Sequence, residues 1–180
     1  MQFIILLRGI NVGGNNKVPM SALKQYLTNA GFMNVKSYIN SGNLIVESEE
    51  DAEQEVLIKC QAILADQFTF PVEVVVISDE KYKMELANVP TWWGENEDYR
   101  HNALFYLASA NKSDIMAYLS TVDSTYDKIY IGEQAIFWSS SFKQHYSKTY
   151  YSKLASRLFY KQITIRNRNT TLKLLSFLKN

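Results

Sequence analysis

The sequence has few of the residues that most often build catalytic and metal sites. It contains one cysteine, Cys60, and two histidines, His101 and His145, among 180 residues. A single cysteine excludes an internal disulfide and fits a reducing compartment. No spacing of Cys and His is typical of a metal site, and no nucleophile motif surrounds either histidine. The sequence therefore predicts no catalytic residue, no metal site and no cofactor.

Long hydrophobic runs are also absent. The apolar run Phe3–Leu7 follows no basic residue and is interrupted by Arg8, so it is not typical of a signal peptide. No segment reaches the roughly 18 apolar residues that a membrane span needs. The composition, 47% hydrophobic and 21% charged, is that of a globular protein. We expect a soluble, cytoplasmic protein that does not bind membranes.

Acidic residues are missing from the end of the chain, where none follows Glu133. Residues 1–100 carry 8 basic and 14 acidic side chains, whereas residues 101–180 carry 11 and 4, so the two parts have net charges of −6 and +7. This asymmetry indicates either an anionic partner or two halves that neutralise each other. The sequence leaves both alternatives open.

The hydrophobic pattern predicts the element order β-α-β-β-α-β followed by an extra helix in the first half of the chain. The predicted strands are Phe3–Leu7, Val35–Ile39, Leu44–Glu47 and Val72–Ile77. The predicted helices run from Pro19 to about Gly31, from about Asp51 to Phe68, and from Asp79 to about Asn88.

The same element order is predicted again in the second half. The predicted strands are His101–Leu107, Lys128–Ile131, Ala135–Ser139 and Ile163–Arg166. The predicted helices are Lys112–Ser120, Ser147–Tyr160 and a last helix capped by Asn169 or Thr170. We therefore predict an α+β fold of two ferredoxin-like (βαββαβ) halves, each followed by an extra helix. The predicted division is a domain at residues 1–88, a linker at 89–100 and a domain at 101–180.

This topology predicts where two polar turns lie. The first and second strands of a ferredoxin-like half run parallel, with the third antiparallel between them. The loop Arg8–Pro19 and the hairpin turn Asn40–Asn43 then open at the same end of the sheet. We expect the two segments to be neighbours.

The first candidate site combines these two turns. Adjacent glycines can direct backbone N–H groups at an anion, and basic and amide side chains add donors. The predicted ligand-binding residues are Arg8, Asn11, Gly13, Gly14, Asn15, Asn16, Lys17, Asn40, Ser41 and Asn43. A nucleotide-binding P-loop is excluded because Asn15 and Asn16 stand where Lys and Ser/Thr are required. The alternative is a long turn whose asparagines bond to its own backbone.

The second candidate site lies where the last strand meets the last helix. Arg166, Asn167, Asn169 and Thr170 are predicted to bind an anion at the helix N-terminus, or else to cap the helix and form a solvated turn. Aromatic and basic residues also alternate between Trp138 and Tyr160, as in some nucleic-acid-binding surfaces. The alternative for these aromatic side chains is the hydrophobic core, which their number favours.

Several segments resemble those of the domain of unknown function 1697 family. They are RGINVGGNNKVPM from Arg8, SYINSGN from Ser37, HNALFYL from His101, IYIGEQAIFW from Ile129 and ITIRNRNTTLKLL from Ile163. The resemblance extends over nearly the whole chain, although Arg168 stands where the family usually has an aromatic residue. It implies a bacterial cytoplasmic α+β protein and no established activity.

Three functional hypotheses remain after these exclusions. The first is a protein that binds an anionic ligand, either a nucleotide, a phosphorylated metabolite or a nucleic acid, at the loop after the first strand. The second is an enzyme that acts on a phosphorylated or carboxylated small molecule, with Arg8 and Lys17 stabilising negative charge. The third is an oligomerising module that uses the opposite charges of the two halves.

Overall fold

The first β-strand is the central element of the first sheet. In the computed structural model, which describes residues 1–179, β1 (Gln2–Arg8) pairs with β3 (Asn43–Glu47) on one side and with β4 (Glu73–Ser78) on the other. The outer strand β2 (Met33–Tyr38) pairs with β3, so the order is β2-β3-β1-β4 and every pair is antiparallel. Residues 3–7 of β1 are apolar and buried on both faces, as a central strand requires.

Two helices pack on one face of this sheet. α1 (Met20–Asn29) buries Met20, Leu23 and Leu27, and α2 (Glu53–Gln67) buries residues at a similar helical spacing. They form a core with the alternate β1 residues Phe3, Ile5 and Leu7. Complete burial of each large apolar side chain contributes about 1.5–3 kcal/mol to folding. A further helix, α3 (Asp79–Ala87), follows β4.

The second sheet repeats this arrangement. β5 (Tyr99–Tyr106) pairs with β7 (Ala135–Ser141) and with β8 (Ile163–Asn167), while β6 (Asp127–Ile131) pairs with β7. The order β6-β7-β5-β8 is again antiparallel throughout. α4 (Lys112–Leu119) lies between β5 and β6, and α5 (Arg168–Leu175) follows β8. Both sheets confirm the predicted α+β fold of two ferredoxin-like halves with an extra helix after each.

The predicted helix Ser147–Tyr160 is wrong. Three short 3₁₀ segments occupy this region, namely Tyr146–Lys148, Tyr151–Ser156 and Leu158–Gln162. Leu158 is 94% exposed, whereas Leu154 and Phe159 are buried.

Hydrogen bonds to distant side chains explain this difference. The buried Asp127 carboxylate accepts from the backbone N–H of Tyr150 at 2.8 Å and of Tyr151 at 3.3 Å. The hydroxyl of Thr149 accepts from the N–H of Ser152 at 3.0 Å. These bonds give the backbone an alternative to the i to i−4 ladder of an α-helix, and Arg157 adopts an extended conformation that ends the second segment.

The chain divides into two compact units. The first comprises Met1–Lys83 together with the residues from Lys173 onward, and the second comprises Met84–Leu172. The domain limits drawn from the sequence, at residues 1–88, 89–100 and 101–180, stay a prediction. None of the helices within residues 1–179 is long and apolar enough to span a membrane.

The substitution Asp127→Asn tests whether a buried carboxylate organises the second unit. Besides the two backbone donors, Asp127 accepts from the indole N–H of Trp138 at 2.8 Å. An amide cannot accept at both of its polar atoms, so we expect a loss of about 2–4 kcal/mol in the free energy of unfolding. Urea denaturation followed by tryptophan fluorescence measures it. The exposed Asp51→Asn is the matched control, and equal effects of the two substitutions would contradict this role of Asp127.

Candidate ligand-binding site

The loop after β1 is a small hairpin rather than an irregular segment. The N–H of Asn15 donates to the carbonyl of Val12 at 3.0 Å, and the two residues form an isolated antiparallel bridge. Gly13 and Gly14 make the turn with φ values of +57° and +80°. Positive φ at both central residues is typical of a type I′ turn, which explains the two adjacent glycines.

The side chain of Asn11 joins this loop to the hairpin turn between β2 and β3. Its amide nitrogen donates to the carbonyl of Asn40 at 2.8 Å and to that of Val18 at 2.9 Å, and its oxygen accepts from the N–H of Val18 at 2.8 Å. The N–H of Leu7 also donates to the carbonyl of Gly42 at 2.8 Å. The predicted proximity of the two polar turns is confirmed.

Part of the predicted donor set is used inside the protein. The Asn16 amide donates to the carbonyl of Gly9 at 3.1 Å. The fully buried Asn43 donates to the Tyr38 carbonyl at 3.0 Å and to the Ser41 hydroxyl at 2.9 Å. The loop asparagines therefore bond in part to their own backbone, the alternative left open by the sequence. The predicted residues that remain exposed are Gly13, Gly14, Asn15, Asn16, Lys17, Asn40 and Ser41, whereas Arg8 and Asn11 are half-buried.

The substitution Gly42→Ala tests how closely the hairpin turn approaches β1. Gly42 has φ +78°, and an added Cβ would lie 2.7 Å from the Cβ of Leu7. The clash adds to the cost of a left-handed residue, so we expect a loss of about 2–4 kcal/mol in stability.

Gly13→Ala is the matched control for this substitution. Gly13 also has positive φ, but an added Cβ would meet nothing within 4 Å. We expect a loss of only about 1–2 kcal/mol, the cost of the left-handed conformation alone. Urea denaturation of both variants measures the difference, and equal losses would contradict the close approach.

The second predicted cluster is divided between structural and accessible positions. The buried Arg166 guanidinium donates to the Thr164 hydroxyl at 2.9 Å and to the Ile165 carbonyl at 2.8 Å, and Thr170 is also buried. The predicted cap at Asn169 or Thr170 is wrong, because Asn167 Oδ1 accepts from the N–H of Thr170 at 2.8 Å. The cap lies earlier because α5 already begins at Arg168.

A cavity of about 720 Å³ lies beside this cluster in the second unit. It arises where β5 extends beyond β8. β5 pairs with β7 from Tyr99 onward, but it pairs with β8 only from Asn102, because β8 ends at Asn167. The cavity is lined by Gly94, Asn96, Glu97, Tyr99, Arg100, His101, Asn102, Asn167, Arg168 and Asn169.

Two predicted ligand-binding residues, Asn167 and Asn169, line this cavity. The lining residues Gly94 to Arg100 were not predicted, because residues 89–100 were interpreted as a linker, and His101 and Asn102 were assigned only to a strand. The polar run Tyr99-Arg100-His101-Asn102 at the start of an apolar strand was the available signal. Arg168, the departure from the family pattern, also lies on the cavity wall.

His101 is held by two hydrogen bonds at the edge of this cavity. Its Nε2 lies 2.9 Å from the carbonyl of Asn96, and its Nδ1 lies 2.7 Å from the hydroxyl of Ser139. A carbonyl only accepts, so Nε2 carries a proton, and in the neutral ring the Ser139 hydroxyl donates to Nδ1. The ring fixes the position of the segment around Asn96.

Most of the aromatic residues near the C-terminus are in the core. Trp138 and Phe159 are buried, and Tyr150, Tyr151 and Tyr160 pack against the same cluster around Leu104 and Ile136. Burial raises the pKa of the Tyr151 hydroxyl to about 12. The core alternative is therefore confirmed for these five side chains.

Within residues 1–179, no group of three or more His, Cys, Asp and Glu side chains is placed to hold a metal ion. Cys60 is buried in the core of the first unit, and burial raises the pKa of its thiol to about 12. Because the thiolate is the reactive form, this cysteine is suited to packing rather than to nucleophilic chemistry.

The reactivity of Cys60 provides a direct test. We expect no reaction with a thiol reagent such as dithionitrobenzoate in the folded protein at neutral pH, and complete reaction in denaturant. Absorbance of the released thionitrobenzoate measures both. Rapid labelling of the folded protein would show that the thiol is accessible and ionised.

The fold and these polar sites define an α+β protein with two ferredoxin-like sheets. The chain belongs to the family described as protein of unknown function (DUF1697), whose sequence model matches residues 1–137. The resemblance noted from the sequence is thus confirmed.

A solved structure agrees with this assignment. The chain is similar to the conserved bacterial protein SP0830 from Streptococcus pneumoniae, with 37% sequence identity and a TM-score of 0.91. The similarity covers 99% of this chain and 98% of the other. The comparison with curated proteins found no match.

Proposed function

We propose that the protein binds an anionic ligand at the loop Arg8–Lys17 and the adjoining turn Asn40–Asn43. The observation that supports this proposal is the bridge made by Asn11, which holds the two polar turns together. The bridge leaves exposed donors on a preformed surface, so little conformational entropy would be lost on binding.

Lys17 is the cation that we assign to this surface. It is exposed, and among residues 1–179 no carboxylate lies within ion-pair distance of its ammonium group. The amide of Asn15 and the N–H groups of Gly13 and Gly14 adjoin it in the loop. A phosphate or carboxylate fits such a set, because it accepts several bonds from cationic and neutral donors.

A binding role fits this loop better than a catalytic role. An enzyme needs a cavity that excludes water around the reacting atoms. The tip of the loop, from Gly13 to Lys17, is exposed instead. The candidate ligands are therefore nucleotides, phosphorylated metabolites and nucleic acids that dock on a surface.

The substitution Lys17→Ala tests this proposal. We expect it to weaken the binding of a fluorescent single-stranded oligonucleotide or of ATP by about tenfold at low salt, as the loss of one charge-assisted hydrogen bond predicts. Fluorescence anisotropy measures the affinity. Lys24→Ala on α1 is the matched control and should change it less than about twofold.

Salt dependence identifies the ligand class. Nucleic-acid binding should weaken steeply with salt concentration because bound counterions are released, whereas binding of a small ligand should respond weakly. If Arg8→Ala and Lys17→Ala both leave oligonucleotide and ATP binding unchanged at low salt, the loop is not the site.

A further inference from the structure

The cavity of the second unit is lined by two arginine side chains, Arg100 and Arg168. Two of its side chains, Arg100 and Arg168, are guanidinium groups supported by aromatic rings. The Cζ atom of Arg100 lies 3.4 Å from the centroid of the Phe142 ring, and that of Arg168 lies 5.7 Å from the centroid of Trp93. Stacking of this kind fixes a guanidinium group and leaves its N–H edge available.

In the part of the chain that the structure describes, neither arginine forms an ion pair with a carboxylate. Within residues 1–179, no Asp or Glu lies within ion-pair distance of Arg100 or Arg168. Arg168 uses Nε to donate to the carbonyl of Trp93 at 2.9 Å, which orients the group without compensating its charge. Two positive charges with unused donors therefore line one cavity.

Asn102 adds uncharged hydrogen-bonding groups to the wall of the cavity. Asn102 is only 8% exposed and lines the cavity. Its backbone carbonyl accepts from the indole of Trp93 at 3.1 Å, but its side-chain amide has no hydrogen-bond partner within residues 1–179. Because Asn102 lines the cavity, its amide is open to the cavity, where water or a ligand can supply its hydrogen bonds.

We propose that this cavity binds a small molecule that carries an oxyanion, either a phosphate or a carboxylate. Arg100 and Arg168 bind the oxyanion through their N–H edges, and the Asn102 amide bonds to a neighbouring polar atom of the ligand. Glu97 and Asn169 also line the cavity. The Glu97 carboxylate accepts hydrogen bonds from the remaining polar groups of the ligand, and the Asn169 amide donates to them. This site lies in the second unit, so it does not rest on the function proposed for the loop.

Nuclear magnetic resonance can detect this binding without knowledge of the natural ligand. The full-length ¹⁵N-labelled protein is titrated with sodium phosphate and, separately, with sodium acetate, each against sodium chloride at matched ionic strength. We expect saturable shifts of the Trp93 indole and Asn102 side-chain amide signals. Saturation with phosphate alone, with acetate alone or with both identifies which oxyanion the site accepts.

Two substitutions with matched controls locate the oxyanion. Arg100→Gln should weaken the titration at least about tenfold, since it removes a charged donor. Arg157→Gln should not weaken the titration, because Arg157 lies outside the cavity. It is a matched control, since the Arg157 Cζ atom also lies over an aromatic ring, 5.1 Å from the centroid of Tyr118. Asn102→Asp should abolish the shift of the Trp93 indole signal by placing a negative charge in the cavity, whereas Asn29→Asp on α1 should preserve it.

Two results would overturn the proposal. One is that sodium chloride reproduces the shifts or that neither oxyanion saturates them. The other is that Arg100→Gln and Arg157→Gln act alike. Lys17→Ala should leave these signals unchanged, so a failure of the loop site and a failure of the cavity are distinguishable.

Discussion

Each sheet depends on a central strand that is hydrogen-bonded on both sides, β1 in one unit and β5 in the other. A strand in this position must be apolar along most of its length, because most of its side chains are buried. Residues 3–7 and 103–105 meet this requirement completely. Polar groups are then confined to the places where a central strand begins or ends. The loop site follows the last residue of β1, and the cavity surrounds the first residues of β5.

Buried carboxylates stabilise the second unit through backbone donors rather than through basic side chains. Asp127 accepts from two N–H groups and an indole, and Glu85 accepts from the N–H groups of Gln134 and Ala135 at 3.0 Å each. Bonds of this kind satisfy a carboxylate without a cation. Two of the eight acidic residues in Met84–Leu172 are therefore used to hold backbone segments in place rather than to pair with lysine or arginine side chains.

The sequence predicted those parts of the fold that local patterns determine. The apolar run of β1, the spacing of Leu23 and Leu27 in α1 and the Asn-Ser-Gly-Asn turn each have one dominant structural solution. The segment Ser147–Tyr160 also has helical spacing, but bonds to Asp127, some 20 residues earlier in the chain, determine its conformation. Such long-range bonds are not visible in a local pattern.

In the candidate sites, too, some relations between residues follow from the predicted topology and others depend on long-range contacts. The proximity of Asn11 and Asn40 follows from topology, and it could be predicted. The cavity depends on the register of the strands, because β8 ends at Asn167, opposite Asn102, whereas β7 continues to pair with β5 as far as Tyr99. The support of Arg168 by Trp93 depends in turn on the path of residues that were interpreted as a linker. Neither relation leaves a periodic signal in the sequence.

The two cavity arginines are supported by groups that do not titrate. A guanidinium group held by a carboxylate loses its partner's charge in acid, whereas the rings of Phe142 and Trp93 carry no titratable group. Arginine itself stays charged over the whole range in which proteins fold. The charge and the support of these two arginines therefore persist at every pH at which the protein is folded, and protonation of a bound oxyanion, rather than of the arginines, would weaken their attraction.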